Sequence, residues 1–315
     1  MNKLLTNEYK GLDLGKFVCA ILVIAIHTEP FINNIWLDRG LGVITRLAVP
    51  FFFMVTGYLF FDGFERKEKL AHTLKRLLIL YALWSLIYLP FNWPIDDLIN
   101  KIFITGINGH LWYIPAAMFS LLITFFLRKC LGLKKTLMIA GFLLVLGTLL
   151  STYEPVTAKM IGGGYRLYSI IDVIGTRNGL FYGFFYVSLG GFLRSKKTTK
   201  TVYYAILLFA GICLLSIESL IAVMKLHATS TILWFSCPIA MIGMFGIFQN
   251  INLKCDTIRL RKISVLMYFS HCIWIHSFEI EQGLTLFLIV LILSIISSML
   301  IIRLSEKFTW MKYLY

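Results

Sequence analysis

The sequence predicts an all-α, polytopic integral membrane protein with about ten transmembrane helices and both termini in the cytoplasm. Three observations carry this. The 315-residue chain is 58% hydrophobic and only 15% charged, with a mean hydropathy of +0.80, whereas soluble domains are about one quarter charged. Continuous apolar runs recur along the whole length, unlike the short alternating segments of a transmembrane barrel. The basic residues sort by side: of 30 Lys and Arg, all but Arg39, Arg46, Lys101, Lys159, Arg166, Arg177 and Lys225 fall on one set of alternating connections. By the positive-inside rule that set is cytoplasmic. The net charge of +14 is therefore topological and lipid-facing, and nucleic acid is not an expected partner.

The spans follow in order, each bounded by polar or basic residues. The first, 13–33, holds the run FVCAILVIAI between Lys16 and His27. The second, 41–61, contains Val49-Pro-Phe-Phe-Phe-Met-Val-Thr-Gly57, with Pro50 expected to kink it. The third, 74–92, starts at the basic pair Lys75-Arg76. The fourth, 112–130, follows His110-Leu-Trp-Tyr-Ile-Pro115, where proline near a helix start costs little. The fifth, 134–152, begins at Lys134-Lys135, and the sixth, 177–194, follows Thr176 and opens on Arg177-Asn178-Gly179. The seventh, 201–223, carries Glu218 near its outer end, and the eighth, 230–249, contains Pro238 as a second expected kink. The ninth, 262–280, carries His271, His276 and Glu279; the tenth, 284–303, precedes an interfacial segment, Trp310 to Tyr315.

No cleavable signal peptide, internal repeat or soluble domain is evident, so residues 1–315 read as a single transmembrane domain. The outer loops 93–111 and 153–176 are long enough for partial lids. Gly162-Gly163-Gly164 in the second lacks the Lys-Ser/Thr of a phosphate loop and reads as a flexible turn. The six cysteines form no CxxC pair. They read as small apolar residues, with neither disulfides nor a metal site expected.

Ionisable groups inside spans are costly, and by default they mark function. His27 lies eleven residues beyond Lys16, about 16 Å deeper at the helical rise. A cation thus sits near one face of the bilayer and a proton acceptor well inside it. His110, Arg177 and Glu218 lie at or near the outer ends of three other spans, and His271 near the middle of a fourth. A shared hydrated cavity would let these groups pair; lipid would not. No G-x-S-x-G elbow supports a serine-esterase route.

Leu12-Asp13, the cation at position 16 and His27 are similar to the first helix of the integral-membrane acyltransferase-3 family, which has an Arg, ten residues, then a His. The 49–57 run, Lys75-Arg76, His110-Leu-Trp-Tyr and the stretch from Ser264 to His271 also resemble family landmarks, covering essentially the whole chain. Position 16 departs from the pattern, because Lys is a point charge where Arg would be a bidentate phosphate clamp. Within this group, His110 to Pro115 and Gly175-Thr-Arg-Asn-Gly179 resemble the membrane half of the membrane-bound serine racemases found with glycopeptide resistance. Those proteins continue into a cytoplasmic racemase domain that uses pyridoxal phosphate. The chain is expected to be a stand-alone relative or that membrane half, with such a domain or subunit as a partner.

The family resemblance implies an O-acyltransferase of the bacterial plasma membrane. It would carry an acyl group, often acetyl, from cytoplasmic acyl-CoA to a hydroxyl of an extracytoplasmic glycan or small acceptor. Acyl-CoA would be a donor substrate, and no covalently bound cofactor is implied. Lys16, Lys75 and Arg76 would hold the donor phosphates. His27 would be the general base, with Glu218 and His110 as further catalytic candidates. Arg177, Asn178, Trp112 and His271 would line the acceptor site. The racemase resemblance implies a different class, L-serine translocation, with Arg177 on the carboxylate, Glu218 on the ammonium and His27 as a gate.

Overall fold

In the computed structural model the described residues are 9–62, 66–160, 175–196, 200–228 and 232–315, and their regular structure is entirely helical. Among the described residues, twelve α-helices longer than one turn follow in order: α1 Lys10–Thr28, α2 Ile35–Thr45, α3 Ala48–Phe60, α4 Lys67–Tyr88, α5 Tyr113–Leu131, α6 Leu133–Leu149, α7 Glu154–Met160, α8 Phe184–Arg194, α9 Thr201–Met224, α10 Cys237–Asn250, α11 Ile258–Ser277 and α12 Leu284–Lys307. Six segments among the described residues are long and apolar enough to cross a membrane: α1, α2 with α3, α4 with its extension to Asn92, α5, α9 and α12. The pair α6 and α7, bent by 85°, would make a seventh. Helix occurs in each of the other predicted spans, but in shorter or more polar form. The sixth is α8 preceded by one π-helical turn, Gly179–Gly183. The eighth is α10, of 14 residues. The ninth is α11, of 20 residues, which carries Arg259, Arg261, Lys262, His271 and His276.

Several helix boundaries have a local cause. α1 stops at Thr28, five residues before the expected boundary, because Glu29 takes a left-handed conformation (φ 43°) ahead of Pro30. Pro50 and Pro238 do not kink helix interiors. The chain breaks between α2 and α3 at Arg46-Leu47, which leaves Pro50 in the first turn of α3, and Pro238 likewise sits in the first turn of α10. Proline has no N–H to lose there. Of the expected outer lid at 93–111, the last part folds inward, burying Ile107, Asn108, His110 and Leu111, while Trp93, Ile99 and Phe103 stay exposed. The Gly162-Gly163-Gly164 turn lies outside the described residues.

Burial separates centre from periphery. The α2–α3 span is 67% buried and α1 56%, against 17% for α4 and α9 and 22% for α12. Leu284, Leu288, Ile292 and Ile296 form an exposed stripe on α12, four residues apart, which suits lipid rather than water. The central helices approach closely through small residues. A Cβ on Gly57 of α3 would strike the Val187 carbonyl of α8, and one on Gly190 of α8 would strike the Met54 carbonyl of α3. This reciprocal contact brings two backbones together as in other membrane helix pairs. α3 in turn packs on α1, where the polar groups meet.

Candidate functional site

Two of the concavities along the bundle gather the polar groups of interest. For reference, the basic end is the one where α1 begins, at Lys10, and the far end is the one where α1 finishes, at Thr28.

The far-end cavity encloses about 80 Å³ and is lined by His27, Thr45, Arg46, His110, Trp112, Arg177, Tyr182 and Tyr268, among others. That suffices for a few waters or a small polar fragment. His27 reaches it from the last turn of α1. Its imidazole makes no protein hydrogen bond among the described residues, and its one ring contact is with His271, at 5.1 Å between centroids. His271 is fully buried behind it. Its Nδ1 lies 2.7 Å from the Tyr268 carbonyl, so Nδ1–H is the donor there. The Cys272 thiol lies 3.3 Å from its Nε2. His110 completes the cluster, 5.1 Å from His271 between centroids, with its Nδ1 2.9 Å from Asn108 Oδ1.

Two guanidiniums face these imidazoles. Arg177 stacks over the Trp112 indole at 5.1 Å. Arg46 enters from the break between α2 and α3. Asn178 shapes this wall rather than lining the cavity. Its Oδ1 accepts from the Leu180 and Phe181 N–H groups at 2.8 and 3.0 Å, and its amide donates to the Gly175 carbonyl at 2.8 Å. It thereby caps the π-helical turn that presents Arg177.

The groove at the basic end encloses about 340 Å³ and is mostly apolar, with Lys16, Lys69 and Arg76 among its lining residues and Thr56, Tyr113 and Tyr268 also along it. Lys16 is not a snorkelling surface cation. Its ammonium is held 2.6 Å from Asp13, with both side chains largely buried, and Asp13 also accepts from the Thr257 hydroxyl at 2.9 Å. Lys75 lines an adjoining cleft of about 430 Å³ with His72, Arg76 and Lys312. Arg76 and Tyr315 border both spaces, and the Arg76 guanidinium donates to the Tyr315 carbonyl at 3.4 Å.

Glu218 stands apart from both spaces. Its carboxylate accepts from the Phe235 and Ser236 N–H groups, each at 2.9 Å, from the Ser236 hydroxyl and from the Tyr153 hydroxyl at 3.0 Å. It clamps the start of α10 and the 150s loop to α9, and its acceptor capacity is used in doing so. Burial pushes the Tyr153 phenol up, and the carboxylate beside it adds to this, so the phenol stays a neutral donor.

Residues 9–303 match the acyltransferase-3 family, described as an acyltransferase domain. The chain belongs to that family. Among curated proteins, this acyltransferase-3 chain is 26% identical to a serine/alanine racemase of Enterococcus gallinarum over 96% of its own length and 47% of the relative's. It is 26% identical to an amino-acid racemase of Enterococcus faecalis over 94% of its length and 46% of the relative's. With another amino-acid racemase of Enterococcus faecalis the identity is 29%, over 66% of the chain and 31% of the relative. The chain thus spans less than half the length of these relatives. No solved structure matches it.

Of the residues the sequence pointed to, His27, His110, Trp112 and Arg177 share one cavity with His271 behind it, Lys16 and Arg76 share the groove, and Lys75 lies in the adjoining cleft. Asn178 and Glu218 are bound into local structure. Sequence reasoning passed over Arg46, Asn108, Tyr182 and Tyr268. Arg46 was detectable as a cation inside the 41–61 apolar run. The other three carry no signal without the fold. No cluster of metal-ligating residues occurs among the described residues.

Proposed function

We propose that this chain is a membrane-embedded O-acyltransferase that moves an acyl group, acetyl in the simplest case, from acyl-CoA to a hydroxyl of an extracytoplasmic glycan or small acceptor. The basic end is read as cytoplasmic, in a bacterial plasma membrane crossed about ten times with both termini inside. The observation that carries this is the meeting of the two spaces. A cation-mouthed apolar groove and an imidazole-lined polar cavity lie on either side of the same residue, Tyr268.

The chemistry divides between them. Lys16 and Arg76 hold anionic phosphates at the groove mouth, and the apolar walls accept the pantetheine arm. The acceptor hydroxyl enters the far-end cavity beside His27. The imidazole takes its proton as the oxygen attacks the thioester carbonyl carbon. The C–S bond then breaks, and the proton passes to the departing sulfur. Because His27 makes no protein hydrogen bond among the described residues, its nitrogens are available to the acceptor. Arg46 and Arg177 supply positive charge for the developing oxyanion.

Acetyl-CoA at one hundred times its Kd should stabilise the purified protein by about 2.7 kcal/mol, visible as a raised melting temperature. No shift at millimolar acetyl-CoA would defeat the proposal. A second reading, translocation of a small amino acid such as L-serine, is supported by the racemase names of the relatives and by two guanidiniums in one cavity. Stabilisation by L-serine, with uptake into proteoliposomes, would favour it instead.

A further inference from the structure

We infer that the aromatic ring of Tyr268 is the partition between the donor groove and the far-end cavity, and that it keeps water from the thioester until an acceptor arrives. The inference deepens the acyltransferase reading and rests on it for its chemistry, though not for its geometry. Tyr268 lines both spaces. Its ring is 5% exposed, wedged against Phe52 and Tyr113, each at 5.7 Å, on the groove side. On the cavity side it meets His110 at 5.9 Å. Its hydroxyl donates to the His110 carbonyl at 2.7 Å, tying α11 to the inward-folded 106–112 segment. The backbone carbonyl of the same residue fixes His271, so the wall and the support behind His27 are one piece of structure.

A transferase with substrates from opposite sides has a specific problem. A thioester beside a hydrated imidazole is open to water as well as to the acceptor. Water would attack the thioester carbonyl carbon and the C–S bond would break. Carboxylate, a proton and CoA thiol would be released, with His27 able to serve water as it serves the acceptor. Excluding bulk water suppresses this side reaction. Here the excluding element is an aromatic side chain, not the hydroxyl it carries. The Tyr268 hydroxyl is committed to a backbone carbonyl and is not assigned a proton-transfer role.

Two readouts on the full chain test this. In the first, Thr56, which lines the groove, is changed to Cys. Intact cells are then treated with a membrane-impermeant methanethiosulfonate, and the peptide bearing position 56 is weighed. Position 56 should be protected with Tyr268 present and in Tyr268→Phe, and labelled in Tyr268→Ala. Tyr268→Leu keeps an apolar core side chain and serves if the alanine variant does not fold. In the second, thiol release from acetyl-CoA is followed without acceptor. It should rise roughly tenfold or more in the Ala and Leu variants and stay at the parent level in Phe. Equal protection of position 56 in all variants, or equal labelling in all, overturns the partition. Labelling that appears in Ala or Leu without thiol release, and without stabilisation by acetyl-CoA, leaves the partition standing and defeats the acyltransferase reading.

Discussion

The imidazole of His27 lies 5.1 Å from that of His271, centroid to centroid, tilted by 39°. The relationship is asymmetric. His271 is bound on both nitrogens, to the Tyr268 carbonyl and beside the Cys272 thiol, and is wholly buried. His27 has only this ring contact and borders the cavity. One histidine is a fixed surface and the other faces the open cavity.

His27→Ala should therefore lower acyl transfer by at least about 10²-fold, the range for a lost general base. The melting temperature should change little, because no hydrogen bond is broken. His271→Ala should do the reverse in part. It creates a buried void and removes the support, so it should lower the melting temperature as well as turnover. Thermal melts alongside thiol-release assays of both variants check the contrast.

Glu218→Ala should cost about 2–3 kcal/mol of stability through the loss of a helix-start clamp and its charge-assisted hydrogen bonds. Turnover per folded molecule should remain near the parent value, because the carboxylate lies outside both spaces. Glu218→Gln keeps one acceptor oxygen for the α10 amides and should fall between. A loss of turnover in Glu218→Gln at unchanged stability would restore a catalytic role.

How far the sequence could be read depends on what each residue's partner is. Six of the predicted spans were legible because a membrane imposes one rule, apolar length, on each segment independently. His27 was legible for the same reason, as an imidazole that hydrocarbon does not tolerate. Glu218 met the same criterion, yet its carboxylate is bonded to Tyr153 and the Phe235–Ser236 amides, partners from loops whose return path no spacing encodes. Pro50 looked interior because the 41–61 segment is apolar on both sides of Arg46, whereas the helix breaks at Arg46-Leu47. Tyr268 is invisible in sequence because a tyrosine one turn from His271 is unremarkable until Phe52, Tyr113 and His110 surround it.

The Asp13–Lys16 pair makes a prediction about stability. At 2.6 Å and largely buried, each charge depends on the other. Lys16→Met alone should cost about 3–5 kcal/mol by leaving a buried carboxylate with only the Thr257 hydroxyl. The double variant Asp13→Asn/Lys16→Met should recover much of that stability, measured by thermal melting in one detergent. It should not recover acetyl-CoA affinity, because the cation at the groove is still missing. Recovery of both would mean that Lys16 serves only Asp13.

Arg76 and Arg177 separate the two proposed activities, because one lines the basic groove and the other the far-end cavity, with Tyr268 between. Arg76→Ala removes a cation from the basic groove and, under the acyltransferase reading, should weaken acetyl-CoA binding about tenfold or more, the equivalent of one charge-assisted hydrogen bond. Arg177→Ala should leave acetyl-CoA stabilisation intact. It also removes one of the two guanidiniums in the cavity and releases the Trp112 face that it covers at 5.1 Å, so its defect should be a lowered kcat together with a raised KM for the acceptor. If the chain instead carries an amino acid, Arg177→Ala should abolish serine uptake into proteoliposomes while Arg76→Ala does not. Parallel thermal shifts with acetyl-CoA and L-serine on the two variants give opposite patterns under the two activities, so one pair of proteins decides between them.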